Sequence, residues 1–201
     1  MLQLDNATLI GTGLHRECYL HPRDESLCVK IVVAGNSDEN RREARYYSQL
    51  AARGICWDML TRFHGLVPTS KGEGAVFDLV RDWDGVVSRT LAEYLARADW
   101  STEFGAILQT ALPGLRDYLL RNRVVTMTLK SKNILVQRES PLAGRLVVID
   151  NVGNSDFIPL SHQIALLGRR KIRRKWRRFE AELIAQHPEN EVLRQILATP
   201  P

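Results

Sequence analysis

No apolar run in these 201 residues approaches the roughly 18 consecutive residues that a membrane-crossing helix requires, and segments such as Leu146 to Ile149 are strand-sized. The opening residues, Met1 to Asn6, lack the positive start and the apolar block of a secretory signal, so a cytoplasmic address is expected. Cysteine is scarce. Cys18, Cys28 and Cys56 form an odd set without CxxC or Cys/His ligand spacing, which argues against a disulfide framework and a zinc site and predicts reduced thiols. A GxxxxGK[ST] run is missing, and no helix follows Gly11-Thr-Gly13, so neither a Walker-type loop nor a Rossmann fingerprint is present. There is no internal repeat and no low-complexity linker.

What is there is an ordinary globular composition, 44% hydrophobic and 25% charged, with length for one substantial core or two small lobes. The net charge of +5 is unevenly placed. Eight of the ten residues from Arg169 to Arg178 are Arg or Lys, and the remainder of the chain without them carries −3. Ile172, Trp176, Phe179 and Leu183 recur at helical spacing through this region, so an apolar stripe can dock a helix whose other faces are basic. The bland reading is a solvated basic face. The functional reading is a partner surface, with an acidic protein the expected partner. Nucleic acid is disfavoured by the lack of a recognisable fold or base-stacking array, and anionic lipid by the shortness of the stripe.

The first third predicts short strands divided by turns, Thr8 to Ile10 and Leu27 to Val33, the latter ahead of Gly35 and Asn36. A helix is expected from Glu39 to Arg53, with Ser37 or Asp38 as cap and Gly54 as terminator. Ala75 to Val80 is strand-like, and Thr90 to Arg97 and Phe104 to Arg121 predict helices. Pro113-Gly114 should kink the second of these or delay its start. Two more strands, Ile134 to Gln137 and Leu146 to Ile149, flank a turn with Pro141 and Gly144. One long helix is expected from Leu160 to Gln186.

Three clusters carry chemistry. Gly11-Thr-Gly13 offers bare backbone that can approach phosphates, although any isolated GxG is more often a hairpin turn. Lys30 alternates with Leu27, Val29, Ile31 and Val33, which places it on the opposite strand face with Cys28 and Val32. A cation in an apolar strand needs a partner, and Glu43 on the following helix is the expected one; the alternative is an edge lysine that reaches water. Asn133 and Asp150 bracket the last two strands and would bring two oxygen ligands together, as magnesium with bound phosphates requires. Separately, each is a common turn former.

In chain order these pieces resemble the protein-kinase signature set. Gly11-Thr-Gly13-Leu-His-Arg16-Glu-Cys18 resembles the glycine-rich loop, with Arg16 in the third glycine's place. Lys30 takes the strand-lysine position and puts Cys28 on the adenine side. Val76-Phe77-Asp78-Leu-Val80 resembles the hinge, where Phe77 would be the gatekeeper and the backbones of Asp78 and Val80 would meet the adenine edge. Alignment of Leu129-Lys130-Ser-Lys-Asn133 with the catalytic loop puts Thr128 where the catalytic aspartate is expected, and threonine supplies no general base at neutral pH. Lys130 is retained. Asp150-Asn-Val-Gly153 resembles the metal-binding turn with one extra residue, and the chain ends at Pro201, 48 residues further on, without an APE-like segment.

At finer grain the chain resembles the YrbL family associated with the PhoP regulatory network, small bacterial kinase-like proteins. The carrying residues are Gly11 to Tyr19, Arg41-Arg-Glu43 with Tyr46-Tyr47, Asn122 to Lys130, and Asp150 to Gly153 followed by Ile158-Pro159-Leu160. The resemblance spans residues 1 to about 180 and implies an α+β, protein-kinase-like two-lobed fold. The expected domain is 1–201, with a small antiparallel-sheet N-lobe to about residue 76, a hinge at about 77–85 and a truncated helical C-lobe from about 86. It further implies ATP and magnesium as ligands, a regulatory role and impaired phosphotransfer. Two alternatives stand beside it: an active atypical protein or small-molecule phosphotransferase, and a non-enzymatic interaction module working through the basic helix.

Overall fold

The computed structural model describes residues 1–34, 38–153 and 165–198. The chain forms two compact units. The first holds Met1–Trp57 and Thr61–Val80, and the second holds Asp58–Leu60 and Arg81–Pro201.

The first unit is built on five antiparallel strands: β1 (Leu9–Thr12), β2 (Arg16–Leu20), β3 (Leu27–Val32), β4 (Phe63–Thr69) and β5 (Gly72–Asp78), in the order β1-β2-β3-β5-β4. Alternation along β3 sends Val29 and Ile31 to one face, where they meet Leu4, Tyr19 and Val76. The amino-terminal segment is tied down over this face, with Leu2 N donating to Pro68 O and Leu4 N to Ser70 Oγ. Gly74 is required here, because a Cβ at that position would lie 2.6 Å from Val29 Cγ1 and 3.0 Å from Ile31 Cδ1. Helix α1 (Glu39–Ala52) covers the other face. Tyr47 is its central plug, stacked on Trp57 and set edge-on to Phe77 at 5.3 Å. Gly54 follows the helix with φ of 62°, as a terminating glycine should. The cap proposed at Ser37 and the turn at Gly35 and Asn36 lie outside the described residues, and Asp38 at the N-cap makes no side-chain cap bond.

Strand β4 was not legible in the sequence. Phe63-His-Gly-Leu-Val-Pro-Thr69 carries both Gly65 and Pro68, which read as breakers. The strand lies at the sheet edge, where its outer side is met only by Leu2, whose N–H donates to Pro68 O, so the missing proline N–H costs no ladder bond.

The second unit has a three-stranded antiparallel sheet, β6 (Arg89–Thr90), β7 (Ile134–Arg138) and β8 (Gly144–Val148), in that order. Residues 58–60 belong here because Leu60 bridges Val148 in parallel and Val148 N donates to Met59 O. Its helices are α2 (Leu91–Ala96), α3 (Ala98–Glu103), α4 (Gly105–Asn122), α5 (Ala165–Gln186) and α6 (Glu191–Ala198). Thr90 and Glu93 form a reciprocal capping box that starts α2.

Helix α4 runs from Gly105 through Pro113, so the delayed start expected from Pro113-Gly114 is not seen. A proline at mid-helix costs about 3 kcal/mol. The apolar face of α4 buries Ile107, Leu108, Ala111, Leu112, Leu115, Tyr118 and Leu119, and each large side chain returns roughly 1.5–3 kcal/mol. Burial therefore outweighs the lost hydrogen bond. Helix α5 agrees with the sequence pattern over 165–186, while the expected start at 160–164 lies outside the described residues. Helices α3 and α6 are too short to have announced themselves by periodicity.

An ion-pair network braces the segment entering this unit. Arg138 Nε donates to Asp82 Oδ2 at 2.6 Å, Arg138 N and Ser88 Oγ both donate to Asp82 Oδ1, and Arg138 Nη2 reaches Asp84. Asp82 raises the Arg138 pKa, so this cation is charged at every accessible pH. Asp82→Ala removes the acceptor from a guanidinium and a hydroxyl that are largely buried, and is expected to cost about 3 kcal/mol. Urea denaturation followed by circular dichroism measures this.

Candidate functional site

In the first unit the strand register collects most of the candidate residues on one sheet face. Cys18 is opposite Lys30, Lys30 is opposite Ala75, and Cys28 is opposite Phe77. Directly opposed residues share a face, so Arg16, Cys18, Cys28, Lys30 and Phe77 all point the same way, toward α1. Lys30 is 7% exposed and its ammonium lies over the Phe77 ring, 4.3 Å from the centroid, in a cation–π contact. Glu43 on α1 is 6% exposed.

Glu43 takes a different cation from the one expected. Arg16 Nη1 donates to Glu43 Oε2 at 2.5 Å, so the carboxylate is held by the β2 arginine and not by Lys30. The physical reason is reach and geometry. Arg16 starts β2 on the same face, and a guanidinium spans a longer distance than an ammonium while offering a fork of donors. The other carboxylate oxygen, Oε1, is buried and has no hydrogen-bond partner among the described residues. Arg16 thus enters the site through its side chain, a role that its place opposite a glycine pattern did not suggest.

Gly11 belongs to β1 and pairs with Cys18, so only Gly13 forms the turn proper. Gly13 N donates to Arg16 O at 2.7 Å and closes the hairpin. The Cys28 thiol is held well above its ordinary pKa, first by a hydrogen bond with the Cys18 sulfur and then by burial. It stays protonated.

At the end of β5 the Asp78 carboxylate is engaged sideways: His64 Nε2 lies 2.6 Å from Oδ1, and Arg62 N donates to Oδ2. Asp78 N donates to Arg62 O and Leu79 N to Ser26 O. Asp78 O faces the Cys28 thiol at 3.7 Å. Val80 is buried.

In the second unit the strand pairing brings Asn133 and Asp150 to one end of the β7–β8 hairpin. Ile149 N donates to Asn133 O at 3.0 Å, which sets Asp150 one residue beyond that contact. Both side chains are half-buried. A single 3-10 turn, Ser131–Asn133, positions the asparagine, with Asn133 N donating to Lys130 O. Asp150 Oδ1 accepts from Asn151 N at 2.6 Å. Among the described residues no three His, Cys, Asp or Glu side chains gather as a metal cluster. A two-oxygen set of this kind fits magnesium, which takes few protein ligands and completes its octahedron with phosphate and water.

Thr128 sits beside this pair. Thr126 bridges Val152, Met127 N donates to Asn151 O at 2.7 Å, and Gly153 N donates to Val125 O. Asn151 Nδ2 lies 3.4 Å from Thr128 Oγ1. The turn needs left-handed backbone at Asn151, with φ of 59°, and a wide positive φ of 143° at Gly153; asparagine and glycine are the residues that accept it. Thr128 and Lys130 are both exposed. One residue of this site escaped sequence reasoning altogether: Lys175 of α5, whose Nζ donates to Met127 O. Its position in the basic run hid it, since nothing in the pattern distinguishes an inward lysine from its outward neighbours.

The model of the family described as PhoP regulatory network protein YrbL matches residues 2–184. The YrbL protein of Escherichia coli (strain K12) is 41% identical over 185 residues, which cover 90% of this chain and 88% of that protein. The Shigella flexneri YrbL protein matches to the same extent.

Two outcomes test this geometry. Arg16→Ala leaves a buried carboxylate without its partner and is expected to lower stability by roughly 3 kcal/mol, with part regained in an Arg16→Ala, Glu43→Gln double variant; chemical denaturation of the set decides it. In timed alkylation the exposed Cys56 should react first and the buried, protonated Cys28 last, as read by mass spectrometry.

Proposed function

We propose that this chain, which belongs to the family of the PhoP regulatory network protein YrbL, is a kinase-like regulator that binds ATP and magnesium and acts through binding more than through phosphoryl transfer. The observation that carries the reading is the withdrawal from water of Lys30 and of the Arg16–Glu43 pair, which joins the same sheet face to α1. Charges taken out of water cost several kcal/mol each, and an apolar set would stabilise the sheet as well. A polyphosphate ligand gives such cations a use.

In this reading Gly13 and Lys30 receive phosphates, Cys28 and Phe77 flank the adenine, and the backbones of Asp78 and Val80 meet its edge. Asn133 and Asp150 hold magnesium, which when bound neutralises phosphate charge. The orphaned Oε1 of Glu43 can accept from Lys30 once the ammonium turns toward phosphate. Thr128 supplies no base. Its hydroxyl sits beside the Asn151 amide and stays protonated at neutral pH.

A second reading, an active phosphotransferase, draws on Lys130 and on the fixed loop around Met127, which Lys175 holds. A general base contributes only about 10²- to 10⁴-fold, so its loss slows transfer without forbidding it.

Isothermal titration with ATP and magnesium should give saturable binding that Lys30→Ala weakens at least about tenfold, while millimolar nucleotide without heat would dismiss the proposal. Incubation with labelled ATP then separates the two readings. Label transfer that Asp150→Ala abolishes favours the enzyme, and equal signal from both proteins removes it.

A further inference from the structure

The cations of α5 are sorted by side-chain type. Lys171 is buried and Lys175 half-buried, the latter donating to Met127 O. Ile172, Trp176, Phe179 and Leu183 are buried beside them, with Trp176 and Phe179 edge to face at 5.4 Å. All the arginines face out: Arg169, Arg170, Arg173, Arg174, Arg177 and Arg178 are exposed. At about 100° per residue they fill half the circumference of the helix, in two rows of three with successive members one turn apart. The ridge runs about 13 Å along the axis. Arg178 donates to Glu182 Oε1 at 2.8 Å, and the other five guanidiniums have no protein partner among the described residues.

We propose that this arginine ridge is a docking surface for an acidic polypeptide segment of another protein. Five like charges kept unpaired on one rigid face repel one another, and solubility needs far fewer. Arginine throughout, where lysine would supply the same charge, favours planar forked recognition of carboxylates. Carboxylates one helical turn apart, or alternating along an extended chain, repeat every 6–7 Å or so and match the spacing within each row.

The face itself selects among polyanions. No large apolar residue is exposed between Arg169 and Arg178, so a membrane finds nothing to insert. A nucleic-acid duplex carries its charge far beyond 13 Å, and outside this decad the chain has a net charge of −3, which opposes a longer polyanion. A short acidic segment meets the ridge and ends before that repulsion begins.

The test uses the full-length protein and three probes in about 0.15 M salt. The first is a fluorescein-labelled peptide of about four helical turns with glutamate pairs one turn apart, with a glutamine version as control. The others are a duplex DNA of mixed sequence and vesicles of phosphatidylserine and phosphatidylcholine. Fluorescence anisotropy should show binding of the glutamate peptide only, weakened at least about tenfold by Arg173→Glu, Arg174→Glu and Arg177→Glu together. The triple lysine replacement, which retains the charge and loses the forks, should weaken it severalfold and also serves if the reversed variant fails to fold. Unchanged affinity in the lysine variant, equal binding of the glutamine peptide, or tighter binding of DNA or vesicles than of the glutamate peptide would each overturn the proposal.

Discussion

A strand buried on both faces that still carries a cation sets the terms for the first unit. β3 is flanked by β2 and β5, its Val29 and Ile31 lie in the apolar face of the sheet, and Lys30 is buried on the opposite face against Phe77. An ammonium in that position is tolerable only with compensating charge and polarisable surface around it. The Phe77 ring provides part of this, and the Arg16–Glu43 pair stands on the same face. Tyr47, Phe63 and Phe77 pack on one another with centroid separations of 5.3–5.9 Å, and the Phe77 ring carries the Lys30 ammonium at the edge of this aromatic cluster. Removal of one member shifts the burden to the rest.

The second unit solves a different problem, the presentation of short polar side chains at the end of a two-stranded ribbon. The β7–β8 register ends where Ile149 N meets Asn133 O, and from there the chain leaves the ladder through a left-handed Asn151. The departure is stabilised by backbone bonds from 125–127 to 151–153 and by Lys175 on the Met127 carbonyl. Thr128, Asn133 and Asp150 are thereby placed by main chain at the end of the hairpin, with Asp150 Oδ1 accepting from Asn151 N and Thr128 Oγ1 facing the Asn151 amide.

Helix α5 connects these themes. It docks through an apolar stripe, directs Lys171 and Lys175 inward, the latter onto the Met127 carbonyl, and presents arginines outward. The same ten-residue run thus packs against the unit on one side and leaves six arginines exposed on the other. Their roles differ although their formal charges do not.

Much of the scheme was legible in the sequence because it rests on local periodicity. Period-2 alternation placed Lys30 and Cys28 on one face of β3, helical spacing identified the stripe of α5, and the order of Gly13, Lys30, Glu43, Asn133 and Asp150 is a property of the chain alone. The composition and the family resemblance follow from the residues in the same way. Tertiary structure decided what periodicity cannot encode. It gave Glu43 to Arg16, since the pairing depends on which side chain reaches across from β2 to α1. It carried α4 through Pro113, because burial of seven side chains is summed over contacts distant in sequence. It admitted β4 with Gly65 and Pro68, because the outer side of an edge strand asks no N–H of a proline and only the sheet order reveals an edge. And it divided eight neighbouring cations into two buried or half-buried lysines and six exposed arginines, a distinction set by what lies against the helix and not by the helix itself.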